Sequence, residues 1–138
     1  MIEVRLNQLV VIKDNDSQVL RLEEATPLEG KPRRLMTLVI GPTEAAEISR
    51  CIQKIEAPRP LTHQLALAIA TQLGGTLQRT VIHDLRGGTF YAEMTLDGPA
   101  GAVKVDCRPS DAIALSLRAG SPVYVTEQVM AEAGAERA

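Results

Sequence analysis

Aromatic side chains are almost missing from this 138-residue chain, which has no tryptophan, one phenylalanine and two tyrosines. A row of rings on which the bases of a single strand could stack in succession is therefore excluded. Cysteine is scarce as well. Cys51 falls inside a helical pattern and Cys107 at a strand end, which leaves no disulfide framework and no paired metal-ligand spacing, so both read as small buried fillers. No apolar run approaches the roughly 20 residues of a membrane span, and Met1-Ile2-Glu3-Val4-Arg5 has neither the charged start nor the apolar block of a signal peptide. A cytoplasmic protein with no membrane partner is the expectation. Positive charge is also short, since 15 Lys and Arg against 17 Asp and Glu leave a formal net charge of −2. Electrostatic nucleic-acid binders usually present a basic face that releases counter-ions from phosphates. Here local basicity is confined to Lys31, Arg33, Arg34 and Arg59, so any nucleic acid should be held weakly and at few phosphates.

What is present is a patterned chain of single-domain size. Ile2 to Lys13, Gln18 to Glu24 and Arg34 to Ile40 carry strand-like apolar runs, and Asp14-Asn15-Asp16-Ser17 supplies a turn that makes the first pair a hairpin. Helical spacing follows from Thr43 to Ile55 and from Thr62 to Leu73, kept apart by Pro58 and Pro60. Strands are expected from Thr76 to Leu85 and from Thr89 to Leu96, joined at Arg86-Gly87-Gly88 because paired glycines supply the positive φ of a primed turn. Ala102 to Cys107 adds a strand, Pro109 to Arg118 a helix ended by Gly120, and Pro122 to Thr126 a short strand. A terminal helical turn begins at Glu127. The resulting expectation is a single-domain α+β fold with a mixed, largely antiparallel sheet of seven or so strands and three main helices, spanning residues 1–130, with 131–138 as a frayed tail. Three helices cannot cover such a sheet on both faces, so a homodimer or higher homo-oligomer that buries apolar sheet surface is expected.

The densest cluster of chemistry lies at the junction Val105-Asp106-Cys107-Arg108-Pro109-Ser110-Asp111-Ala112-Ile113-Ala114-Leu115-Ser116-Leu117-Arg118. Pro109 presets φ for a first helical turn, Ser110 sits where a cap is wanted, and Asp111 compensates the helix dipole with Arg108 as counter-ion. Leu38-Val39-Ile40-Gly41-Pro42-Thr43-Glu44-Ala45-Ala46-Glu47-Ile48 repeats the logic of strand, turn and acid-bearing helix start. Ala57-Pro58-Arg59-Pro60-Leu61-Thr62-His63-Gln64-Leu65 opens another helix with an arginine, a hydroxyl and one of only two histidines.

In this order and spacing, IGPTEAAEI, PRPLTHQL and VDCRPSDAIALSLR resemble the bifunctional nuclease family. The resemblance extends through Gly88-Thr89-Phe90-Tyr91-Ala92 and Ser121-Pro122-Val123-Tyr124-Val125, and covers about Leu6 to Met130. It implies hydrolysis of RNA and DNA with little sequence preference, a homo-oligomer, and nucleic acid as a weakly held substrate. Phosphodiester hydrolysis needs an activated water and neutralisation of phosphate charge, which carboxylate-held divalent ions commonly supply. On that reading Asp106, Asp111 and Glu44 would hold a divalent ion, expected to be Mg²⁺, with His63 as general acid or base. Arg108, Arg59 and Ser110 would bind substrate. Each has a plainer reading: first-turn dipole compensation for Glu44 and Glu47, a carboxylate clamp for either arginine, a cap for Ser110. The competing function is a non-catalytic binding or regulatory domain for a small anion or a protein. A functional site requires Glu44, His63 and Asp106 to share one cleft, within one chain or across a dimer interface, and Asp106, Arg108 and Asp111 to lie within reach of one another; capping alone requires neither.

Overall fold

The computed structural model describes residues 1–136; Arg137 and Ala138, the end of the expected tail, lie outside the described residues. Three strands come first, β1 (Ile2–Val10), β2 (Gln18–Glu24) and β3 (Arg34–Ile40), then helices α1 (Pro42–Gln53) and α2 (Thr62–Gln72). They are followed by β4 (Thr76–Arg86), β5 (Thr89–Gly98), β6 (Gly101–Cys107), α3 (Pro109–Ala119), β7 (Val123–Val125), α4 (Glu127–Ala133) and β8 (Gly134–Glu136). The strands form one eight-stranded sheet in the order β6-β5-β4-β7-β1-β2-β3-β8. Among the described residues only the β4–β7 pair is parallel, so the sheet is mixed and largely antiparallel.

The expectation of three main helices is corrected to four helices among the described residues, and the sheet expected to have seven or so strands has eight. The fourth helix is only seven residues long, too short to show a helical period in sequence. Its start is secured by Thr126, whose hydroxyl accepts a hydrogen bond from the Val129 N–H at 3.3 Å, and its apolar residues Val129 and Met130 are buried. The eighth strand then pairs with β3 through Gly134, where a Cβ would lie 2.5 Å from the Met130 carbonyl. Glycine is needed there for close approach.

Local chemistry accounts for the other boundaries. β1 stops at Val10 rather than Lys13 because the buried Gln18 side chain takes the partners a ladder would use, accepting from the Ile12 N–H and donating to the Ile12 and Asn15 carbonyls. Gly87 and Gly88 both have positive φ, 56° and 81°, which closes the β4–β5 hairpin as the paired glycines predict.

One core joins sheet and helices. Leu20, Leu22, Met36, Leu38, Ile40, Ile82 and Val125 pack against Ile113 and Ala114 of α3, Ala45 and Ile48 of α1, and Val129 and Met130 of α4. The small side chains Ala112 and Ala114 let α3 sink between sheet and α1. A buried Thr80–Ser116 hydroxyl pair at 3.1 Å ties α3 to β4. By contrast α2 has no buried residue, and it touches the rest of the fold chiefly along α3.

Candidate functional site

Three helix starts meet at the N-terminal end of α3. Pro42 and Pro109 begin α1 and α3 with φ already set, so each strand turns into its helix at once and brings the first-turn acid to the sheet margin. The Arg108 side chain joins these two elements: its Nη2 lies 2.8 Å from Glu44 Oε1, while its Nε and Nη2 donate to Asp111 Oδ2 and Oδ1 at 2.8 and 3.1 Å. From α2, His63 Nε2 approaches Asp111 Oδ1 at 2.8 Å. A cleft of about 520 Å³ is lined by Glu44, His63, Arg108 and Asp111 together with Thr43, Thr62, Ala66 and Leu115. Glu44 is buried, His63 and Asp111 are half-buried, and Arg108 is exposed.

Burial alone would raise the Asp111 pKa, but hydrogen bonds from Arg108 and His63 outweigh it and hold the carboxyl below its ordinary value. Asp111 is therefore an anion at neutral pH, able only to accept. The His63 proton must then sit on Nε2, which leaves Nδ1 as the nitrogen able to take up a proton. This is the arrangement of an oriented imidazole with a cation beside it.

Of the residues singled out in the sequence, four are thus brought together: Glu44, His63, Arg108 and Asp111. Ser110 is buried and faces an adjoining groove of about 480 Å³ that shares Arg108 and includes Gly41 and Phe90. It does not cap α3, whose N-cap is Arg108 with no side-chain cap bond. Arg59 is exposed in the segment between α1 and α2 and does not line the cleft. Asp106 is an exposed residue of β6 opposite Glu93, it does not line the cleft, and among the described residues its side chain makes no hydrogen bond or ion pair. The residue before Pro109 turns with the chain while Asp106 stays on the flat strand, so the two aspartates do not meet in one chain. The Thr62 hydroxyl was noted in the sequence and lies at the cleft, whereas that of Thr43 was not singled out, although each of the three motifs has a hydroxyl residue directly before its site residue.

The expected ion set of Glu44, Asp106 and Asp111 does not fit this arrangement. Both carboxylates at the cleft are already bridged by the Arg108 guanidinium, and among the described residues no three His, Cys, Asp or Glu side chains are placed to hold a metal ion. Glu47 turns out to be more than dipole compensation. It is 1% exposed and accepts from Arg118 at 2.6 Å and Arg50 at 2.9 Å, which pins α1 to α3. Burial would raise its pKa, yet the two arginines hold it below the usual carboxylate range. The cysteines are poor nucleophiles: burial pushes the Cys107 thiol up to about 11 and raises that of Cys51.

Residues 28–138 match the family model described as the bifunctional nuclease domain. The chain belongs to that family. It is 42% identical over 132 residues to an uncharacterized protein of Mycobacterium tuberculosis, covering 96% of this chain and 76% of that protein. It is 21% identical over 125 residues to Bifunctional nuclease 1 of Oryza sativa subsp. indica, covering 83% of this chain but 38% of the rice protein. Bifunctional nuclease of Oryza minuta is related at the same level. The family match takes in every residue of the cleft and starts after β2, although β1 and β2 lie well inside the sheet. Among the described residues, no helix is long and apolar enough to cross a membrane.

Proposed function

We propose that this domain hydrolyses phosphodiester bonds of RNA and DNA in the cleft where α1, α2 and α3 begin. The observation that carries the reading is the joining of all three motifs through one hydrogen-bonded set, Glu44–Arg108–Asp111–His63, across intervals that capping has no reason to bridge. Arg108 is the phosphate contact, exposed and held at the cleft mouth by Glu44 and Asp111. His63 is the proton-transfer group: oriented by Asp111 through Nε2, it takes a proton from the attacking water at Nδ1 and returns it to the leaving oxygen. Glu44 acts through Arg108 and is a positioning residue. With one arginine at the cleft and a net charge of −2, contact is limited to the phosphate backbone, which supports low sequence preference and weak holding.

One feature favours a second reading, a non-catalytic domain for a small anion or a protein partner. Arg108 is already matched by two carboxylates, so the cleft offers little positive charge to a phosphate. A cleavage assay separates the two. Purified protein is given labelled RNA, single-stranded DNA and duplex DNA, with added Mg²⁺ and again with chelator. Cleavage by the native chain that falls by roughly 10²-fold or more in His63→Ala supports the nuclease reading. No cleavage in any condition by a folded native chain overturns it, and cleavage undiminished in His63→Ala overturns the residue assignment.

A further inference from the structure

Strand β6 ends the sheet on one side, and among the described residues no strand covers its outer edge. Six of its seven residues are exposed, among them Val103 at 52% and Val105 at 39%. A strand of this length with free N–H and C=O groups along one side is a template for another strand. Alternation places Lys104 and Asp106 on one face and Val103, Val105 and Cys107 on the other. On the charged face Asp106 stands directly opposite Glu93 of β5. Two acids in one cross-strand pair repel, so the row lacks a cation. Lys104 reaches Glu93 only at 3.7 Å, from the neighbouring row.

We infer that β6 pairs antiparallel with β6 of a second copy of this chain, about a two-fold axis at Val105. In that register Lys104 faces the second copy's Asp106, and Asp106 faces the second copy's Lys104, so each Glu93–Asp106 row gains the ammonium it lacks. On the opposite face Val105 meets Val105 and Val103 meets Cys107, which covers the exposed valines. Shifting the axis by one residue destroys the match: centred on Lys104 the two lysines meet, and centred on Asp106 the two aspartates meet. The charges of β6 are thus complementary to β6 itself, and that selects a second copy over an unrelated strand. The pairing also gives Asp106 a role that the cleft does not, and it is independent of what the cleft does.

Light scattering and sedimentation across the micromolar range read the assembly directly. The native chain is expected as a dimer. Lys104→Asp turns both matched pairs into acid–acid pairs and should weaken dimerisation by on the order of tenfold or more. Adding Asp106→Lys to Lys104→Asp exchanges the charges and should restore it. Val105→Cys, oxidised, should give a disulfide joining the two substituted positions, because directly opposite Cβ atoms lie only about 4.5–5.5 Å apart; Ala102→Cys should not link to itself. A native monomer throughout the range overturns the inference, as it would if Lys104 guards the edge against pairing. A dimer indifferent to Lys104→Asp also overturns it, because the interface would then lie elsewhere.

Discussion

Glu44 and Glu47 lie one turn apart on the same helix, each bound to an arginine beside α3, yet they belong to two different kinds of cluster. Glu47 with Arg50 and Arg118 is closed: the carboxylate is almost wholly out of water and its oxygens are taken by guanidinium groups of α1 and α3. Glu44 with Arg108, Asp111 and His63 is open, with an arginine side chain 67% exposed over a cleft. The chemistry of the pairs is the same. What differs is access, and access turns a helix clamp into a candidate site.

The largest expected effect separates the two clusters by activity. Asp111→Asn keeps the shape but removes the charge that orients His63 and holds Arg108; cleavage should fall by roughly 10²-fold or more. Thermal stability should change by only about 1 kcal/mol, since the site is half-open. A variant that melts early yet cleaves normally would place Asp111 with Glu47, on the structural side of the comparison.

Glu47→Gln should do the reverse. Breaking a buried ion pair strands two arginines and should cost about 3 kcal/mol, or roughly 10 °C in the thermal midpoint of a domain this size. The cleavage rate per folded molecule should stay near native, and a loss of rate without loss of stability would mean the two clusters act as one.

Acid should act on both clusters. Glu23, held low by the Arg5 hydrogen bond, Glu24, held low by Arg34, and Glu47 and Asp111, held low by their arginines against burial, all have depressed folded-state pKa values. A depressed value stabilises the fold above the unfolded pKa of about 4 and is lost as pH falls through the folded value. Thermal melts should therefore drop steeply below about pH 4. The descent should be shallower in Glu47→Gln, and a parallel descent in both proteins would show that Glu47 contributes little to it.

The smallest expected effect is that of Asp106→Asn. With no hydrogen-bond or ion-pair partner for its side chain among the described residues, its fold stability should change by less than about 0.5 kcal/mol. Cleavage per chain should hold, while dimerisation weakens. If cleavage were abolished instead, Asp106 would have to act in the cleft after all.

Several features were legible in the sequence because they are local. Proline after the strand, an acid in the first turn, paired glycines at a hairpin and alternating apolar residues each act within a few positions, and the resulting strands and the three longer helices stand near where the pattern puts them. The start of the fourth helix was legible as a terminal turn at Glu127, but its length and the eighth strand were not, since their stability comes from Val129 and Met130 meeting the sheet and from Gly134 meeting Met130. Asp106 and Asp111 look equivalent in sequence, five positions apart around one turn. Only the strand direction sends one to the edge and the other to the cleft.

By itself the sequence determined the α+β alternation, the helix starts and the motifs of the bifunctional nuclease domain family, all set by backbone preference and short-range pattern. The tertiary structure decided which charges meet. Ion pairs between Glu47 and Arg118, or His63 and Asp111, join residues far apart in the chain, and only the packing of α1 and α2 against α3 brings them within hydrogen-bonding distance.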